Sequence, residues 1–162
     1  MGSEMCIRDR PSGKGRPHIW LIKPNVAELS EIVGRKLAGD DEIIEAGRRL
    51  SQHVRTVLVS CGEAGGYAFV DGSAMMGQVT VDPQRVTNTV GCGDALLAGF
   101  VAGQLRGKDI RQSYRLALAV ATAAAVSLNP GQFNPCDVDA FLAVTTVEPI
   151  TPGHRNAARR RP

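Results

Sequence analysis

The residues best suited to chemistry lie in the stretch Asn88-Thr-Val-Gly-Cys-Gly-Asp-Ala-Leu-Leu-Ala-Gly-Phe100. Gly91, Cys92 and Gly93 are small, and Asp94 stands where an apolar, small-residue helix begins. A helix N-terminus exposes unpaired N–H groups and carries partial positive charge. Glycines there let the backbone close on an anion. A carboxylate in such a turn has two uses. It can cap the helix, or it can take a proton from a hydroxyl attacking a phosphoryl group held by the same N–H groups. Two other phosphate-binding patterns are excluded. There is no G-x-x-x-x-G-K-[ST], and the third glycine of a dinucleotide fingerprint would fall at position 96, which is Leu96.

Several elements must hold this turn in place. Ile19 to Ile22 is a short apolar run, a candidate buried strand. Asn25 then caps a helix whose apolar face is Val26, Leu29, Ile32 and Val33. A second helix begins at Asp40-Asp41, with Ile43, Ile44 and Leu50 on one side. Thr56 to Ser60 is β-branched and uninterrupted, the clearest buried strand. Cys61 to Gly66 turns sharply and Tyr67 to Val70 returns as a strand. Asp71-Gly72 is a turn, and Met75 to Val81 a further strand. A thin helix is expected from Asp94 to about Arg106, ended by Gly107, and an Ala-rich one from about Ile110 to Leu128. Asp137 to Leu142 is a last short helix. Strands alternating with helices argue an α/β layer fold.

Three stretches carry a family resemblance. The Asn88–Phe100 stretch closely resembles the C-terminal signature of the ribokinase-like sugar kinases, also called the phosphofructokinase-B family. In that family the Asp is the catalytic base and the glycine turn the anion hole. The resemblance therefore implies those roles for Asp94 and for Gly91, Cys92 and Gly93. Lys23-Pro-Asn-Val-Ala-Glu-Leu29 resembles the family's N-x-x-E motif. It implies that Asn25 and Glu28 organise Mg²⁺ and phosphate, often through water, with Lys23 beside the nucleotide. A capping box between Asn25 and Glu28 explains the same two residues. Val59-Ser-Cys-Gly-Glu-Ala-Gly-Gly66 resembles V-S-x-G-x-x-G, which lines the nucleotide site and implicates Ser60, Gly62 and Gly65. A glycine-rich hairpin turn explains that stretch as well. Asn129 falls where the family places adenine or ribose; a helix stop at Asn129-Pro-Gly131 is the other reading.

The resemblance runs from about Leu21 to Leu142. It implies a ribokinase-like three-layer sandwich with a mostly parallel central sheet, the N-terminal half being missing. The sequence looks most like the 1-phosphofructokinase and tagatose-6-phosphate kinase branch. The implied reaction is ATP-dependent phosphorylation of a sugar phosphate, foremost fructose 1-phosphate to fructose 1,6-bisphosphate, with ATP and Mg²⁺ as cofactors. A homodimer of the full-length protein is compatible with this. Tagatose-6-phosphate or 6-phosphofructokinase activity, and a non-catalytic nucleotide-binding module, are the alternatives. Retention of Asp94 argues against the last, since an anion site needs no carboxylate. Cys92 stands where the family usually has Ala or Ser, and a helix N-terminus favours a thiolate, so Cys92 is expected to be oxidation-sensitive.

Composition bounds the rest. Of 162 residues, 43% are hydrophobic and 22% charged, as in soluble globular domains. Aromatics at 4% are too few for a base-stacking nucleic-acid platform. The apolar run from Leu116 to Leu128 is too short to span a bilayer. The formal charge of +3 comes from Arg155, Arg159, Arg160 and Arg161, so the body is close to neutral. Residues 151–162 read as a solvated basic tail rather than a nucleic-acid contact. Cys61, Cys92 and Cys136 show no C-x-x-C spacing, which argues against zinc and disulfides and suits a reducing cytoplasm. No charged-then-apolar leader is read. Residues 1–10, MGSEMCIRDR, look like a back-translated sequencing adapter, which would leave residues 11–150 as the C-terminal part of a kinase domain.

Overall fold

A computed structural model describes residues 19–151. The expectations for residues 1–10 and for the arginine tail lie outside this range. The chain runs β1 (Leu21–Ile22), α1 (Val26–Val33), α2 (Asp40–Leu50), β2 (Thr56–Ser60), β3 (Gly66–Val70), β4 (Ser73–Val79), α3 (Cys92–Leu105), α4 (Ile110–Ala125), α5 (Pro135–Val144) and β5 (Thr145–Pro149). Short 3₁₀ turns fill Gly62–Ala64 and Pro83–Arg85.

The strands form one sheet in the order β1-β2-β3-β4-β5. The mostly parallel sheet that the family resemblance implies is not what forms. Only β1 and β2 pair in parallel; β2–β3, β3–β4 and β4–β5 are antiparallel. The connections dictate this. A parallel pair needs a long crossover, and α1 and α2 supply it between β1 and β2. Short turns join β2 to β3 and β3 to β4, whereas β5 returns to pair with β4 only after α3, α4 and α5. Asp71 and Gly72 both have positive φ, 48° and 83°, the geometry of a two-residue hairpin turn.

Alternate strand residues feed two cores. Val57, Val59, Tyr67, Phe69 and Ala74 pack with Leu29, Ile43 and Ala46 of α1 and α2. Leu58, Ala68, Met75, Val79 and Val147 pack with α3, α4 and α5. Period-two alternation thus places helices on both faces, an α/β layer arrangement. α3 and α4 lie in close contact because Gly99 and Gly103 leave room. A Cβ at either would stand 2.8 Å from Ala117 Cα or Ser113 Cα. The Ala-rich half of α4 is buried as expected, including Ala117, Ala119, Ala123 and Ala124. Ile32, expected on the apolar face of α1, is 55% exposed. β5 was not anticipated. Its Thr-Thr-Val-Glu-Pro sequence buries only alternate residues, Thr145 and Val147, as befits an outer strand.

Candidate active site

The N-terminus of α3 is left open. Its cap is Gly91, at φ 80°, a left-handed conformation that favours glycine, and no side chain closes it. Cys92 N–H turns to Thr89 O at 3.3 Å, while the N–H groups of Gly93 and Asp94 find no acceptor among the described residues. Asp94 is therefore not the cap. It sits at the third helical position, exposed, with no hydrogen bond or ion pair of its own among the described residues. Lys23 reaches this turn from the end of β1. A Cβ on Gly93 would stand 2.6 Å from Lys23 Nζ, so the ammonium lies directly against the helix start. Helix dipole and lysine add at one point.

Asn25 and Glu28 form the full capping box of α1. Asn25 Oδ1 accepts from Glu28 N–H and Glu28 Oε2 accepts from Asn25 N–H, each at 2.8 Å. Asn25 also bridges to Ser60, and Ser60 N–H donates to Pro24 O at 3.1 Å. This ties the K-P-N segment to the end of β2. Among the described residues no group of three or more His, Cys, Asp or Glu could hold a metal ion. Mg²⁺ keeps several waters and takes phosphate oxygens, so a single exposed carboxylate such as Glu28 fits it as a water-mediated partner.

Between the sheet and α3–α4 lies a cavity of about 500 Å³. Its wall brings together Asn25, Ser60, Gly62, Gly65, Cys92 and Gly93 from three separate stretches. Lys23 joins them through Gly93. Gly91, Asp94 and Glu28 do not line the cavity, and neither does Asn129. Asn129 sits in the exposed turn after α4, its N–H on Ser127 Oγ and its side chain on Gln132. The segment before α3 closes one side. Thr87 and Asn88 N–H both donate to Ala125 O, at 2.9 and 3.1 Å, using a carbonyl that the end of α4 leaves free.

The expectation of a thiolate-prone Cys92 is corrected. Partial burial pushes its pKa up. The thiol also donates to Asn88 O at 3.5 Å, a bond available only to the protonated form. What sequence reasoning missed is the far wall of the cavity. Tyr114, Leu118, Thr122 and Ala125 line it at helical spacing along α4.

A family model matches residues 12–135, and its description is pfkB family carbohydrate kinase. The chain belongs to the pfkB family of carbohydrate kinases. All three motif stretches fall inside the matched range. The 1-phosphofructokinase of Rhodobacter capsulatus is 37% identical over 134 residues, covering 82% of this chain and 42% of the relative. That of Borreliella burgdorferi is 31% identical over 132 residues, covering 81% and 42%. The chain thus spans about two fifths of the length of these curated relatives. Among solved structures, phosphofructokinase-2 from Escherichia coli in complex with potassium matches with a TM-score of 0.70 at 25% identity, over 78% of this chain and 41% of that one. Arabidopsis thaliana ribokinase complexed with ribose and ATP matches with a TM-score of 0.68 at 26% identity, over 76% and 41%. No helix among the described residues of this pfkB-family chain is long and apolar enough to cross a membrane.

Proposed function

We propose that this chain carries the nucleotide-binding and phosphoryl-transfer half of an ATP-dependent sugar-phosphate kinase, with fructose 1-phosphate as acceptor and fructose 1,6-bisphosphate as product. The observation that carries the reading is the start of α3, where free backbone donors, the Lys23 ammonium and the exposed Asp94 carboxylate meet. The mainly apolar cavity beside it has a volume suited to a nucleoside. ATP enters with its phosphates toward Gly91–Gly93. Asp94 takes the proton from the C6 hydroxyl of the sugar phosphate. The hydroxyl oxygen attacks the γ-phosphorus in line, and the bond to the ADP oxygen breaks. The N–H groups of Gly93 and Asp94, with Lys23, balance the charge on the transferring group. Glu28 would hold Mg²⁺ through water, and the ion would supply neutralising charge to the ATP oxygens. Such catalysis is positioning and electrostatics. The choice of fructose 1-phosphate follows the relatives named 1-phosphofructokinase. A reducing cytoplasm is the compartment that suits Cys61, Cys92 and Cys136, none of which is in a disulfide.

The test is a coupled ADP-release screen. It uses the 162-residue chain and a chimera in which residues 19–151 replace the matching segment of the Rhodobacter capsulatus relative. Fructose 1-phosphate, fructose 6-phosphate, tagatose 6-phosphate and unphosphorylated sugars are offered. The chimera is expected to turn over fructose 1-phosphate fastest, and the chain alone to be silent. A chimera that is folded and binds sugar phosphate yet releases no ADP removes the phosphoryl-transfer role from this half.

A further inference from the structure

The segment between Val79 and Cys92 has no regular structure beyond the Pro83–Arg85 turn, yet it delivers Gly91 to the start of α3. Ordering each residue of such a segment costs backbone entropy, so specific contacts must hold it. Thr87 is where it is held. The N–H groups of Thr87 and Asn88 fasten it to Ala125 O, and the Thr87 hydroxyl donates to Ser127 O at 2.8 Å. The same hydroxyl oxygen lies 3.4 Å from Ala125 O. The main-chain bonds alone share one carbonyl and leave the segment free to pivot about it. The hydroxyl adds a second carbonyl, two residues on, and stops the pivot.

Asn88 passes this placement on to α3. Its Oδ1 accepts from Val90 N–H at 2.9 Å, and its carbonyl accepts from the Cys92 thiol at 3.5 Å. Gly91 in turn lies against the turn that follows α4, since a Cβ on it would stand 3.7 Å from Gly131 N. The tethered segment and its anchor both face the cavity: Val86 and Thr89 line it from one side and Ala125 from the other. The Thr87 hydroxyl therefore sets how far the open start of α3 stands from α4.

We propose that Thr87 is a positioning residue for the phosphate chain: by donating to Ser127 O, its hydroxyl holds the start of α3 where the N–H groups of Gly93 and Asp94 act together with Lys23. This rests on the nucleotide reading given above. Without the hydroxyl the turn samples other placements, and a bound phosphate must restore the right one. Affinity then falls by at most what one neutral hydrogen bond contributes. The loss is selective. Apart from Lys23, the phosphate donors all ride on the tethered turn, whereas much of the cavity wall belongs to the sheet and to α4.

The experiment compares the full chain with Thr87→Val, which removes the hydroxyl and keeps the branched shape, and with Thr87→Ser, which keeps the hydroxyl. Thr145→Val is the control for stability, because the Thr145 hydroxyl also donates to a helix-end carbonyl, Phe141 O at 2.6 Å, and does not line the cavity. Binding of ATP, inorganic tripolyphosphate and adenosine is measured by calorimetry. Thr87→Val is expected to bind ATP and tripolyphosphate roughly three- to tenfold more weakly, with adenosine changed by less than about twofold. Thr87→Ser should restore most of the loss, and Thr145→Val should bind all three as the wild type does. Wild-type affinity for tripolyphosphate in Thr87→Val overturns the role of Thr87 and leaves the nucleotide reading standing. So does an equal loss for adenosine, a serine variant that rescues nothing, or the same loss in Thr145→Val. If the wild-type chain binds neither ATP nor tripolyphosphate, the nucleotide reading itself fails and this proposal falls with it.

Discussion

Helices α1 and α3 begin on either side of Lys23 and treat their free N–H groups in opposite ways. At α1 the first turn is closed. Asn25 caps Glu28 and Glu28 caps Asn25, so the carboxylate and amide are spent largely on the backbone. At α3 the first turn is open. Gly91 supplies no side chain, and the N–H groups of Gly93 and Asp94 find no acceptor among the described residues. Both starts carry an acidic residue at the third helical position, Glu28 and Asp94. Only the longer glutamate, three residues after an Asn, reaches back to the cap. A capped terminus stabilises its own helix; an uncapped one beside a lysine leaves its donors available to an anion.

The largest effect should come from the open terminus. Asp94→Asn in the chimera is expected to lower turnover about a hundredfold or more, the scale of a lost general base, with little change in ATP affinity. The side chain is exposed and bonds nothing among the described residues, so the melting temperature should move by little. Near-normal turnover would remove Asp94 from the base role and leave it a charge that complements the helix dipole.

The closed terminus predicts the reverse pattern. Asn25→Ala removes the acceptor for Glu28 N–H and should destabilise the chain by about 1 kcal/mol. For a domain of this size that is a melting temperature lower by about 3 °C. Asn25→Asp keeps an oxygen at the cap and should restore most of it, as thermal denaturation followed by circular dichroism would show. If alanine costs nothing, the capping box is incidental and Asn25 is held for the cavity alone.

This contrast was only half legible in the sequence. Caps and turn residues announced the helices: Asn25, Gly107 and the acidic start of α2 all mark real ends. The direction of the sheet was misread although its cause was in view. Asp71-Gly72 was recognised as a turn, and a two-residue turn forces its strands to run antiparallel. The family resemblance, which implied a mostly parallel sheet, outweighed that local fact. β5 escaped because a short outer strand with Glu148 and Pro149 has no clear apolar alternation. At the site, the motif stretches located the sheet-side wall and the start of α3. They said nothing of Tyr114, Leu118 and Thr122. A stripe at helical spacing reveals which face of α4 points inward, but not whether core or empty space lies opposite. Asn25 and Glu28 show the same limit. One spacing encodes both a capping box and a candidate metal contact, and the structure displays the first.

Helix α2 offers a third start, intermediate between the other two, and the smallest expected effect. Its cap, Gly39, has no side chain, as at α3, but Glu42 at the third position reaches back to Ala38 N–H at 2.6 Å. That hydrogen bond, with Arg35 at 3.2 Å, holds the Glu42 carboxyl below its ordinary pKa. A carboxyl whose pKa is lower in the folded than in the unfolded chain adds stability above its unfolded pKa. It loses that contribution as the pH falls from about 4.3, the ordinary glutamate value, through the folded one. The side chain is 42% exposed, so water screens the effect. Melting temperatures of wild type and Glu42→Gln are therefore expected to differ most near neutral pH and to converge under acid. A constant difference across that range would mean that Glu42 acts through hydrogen-bond geometry and not through its charge. The half-closed start of α2 would then resemble α1 in its bonds but not in its electrostatics.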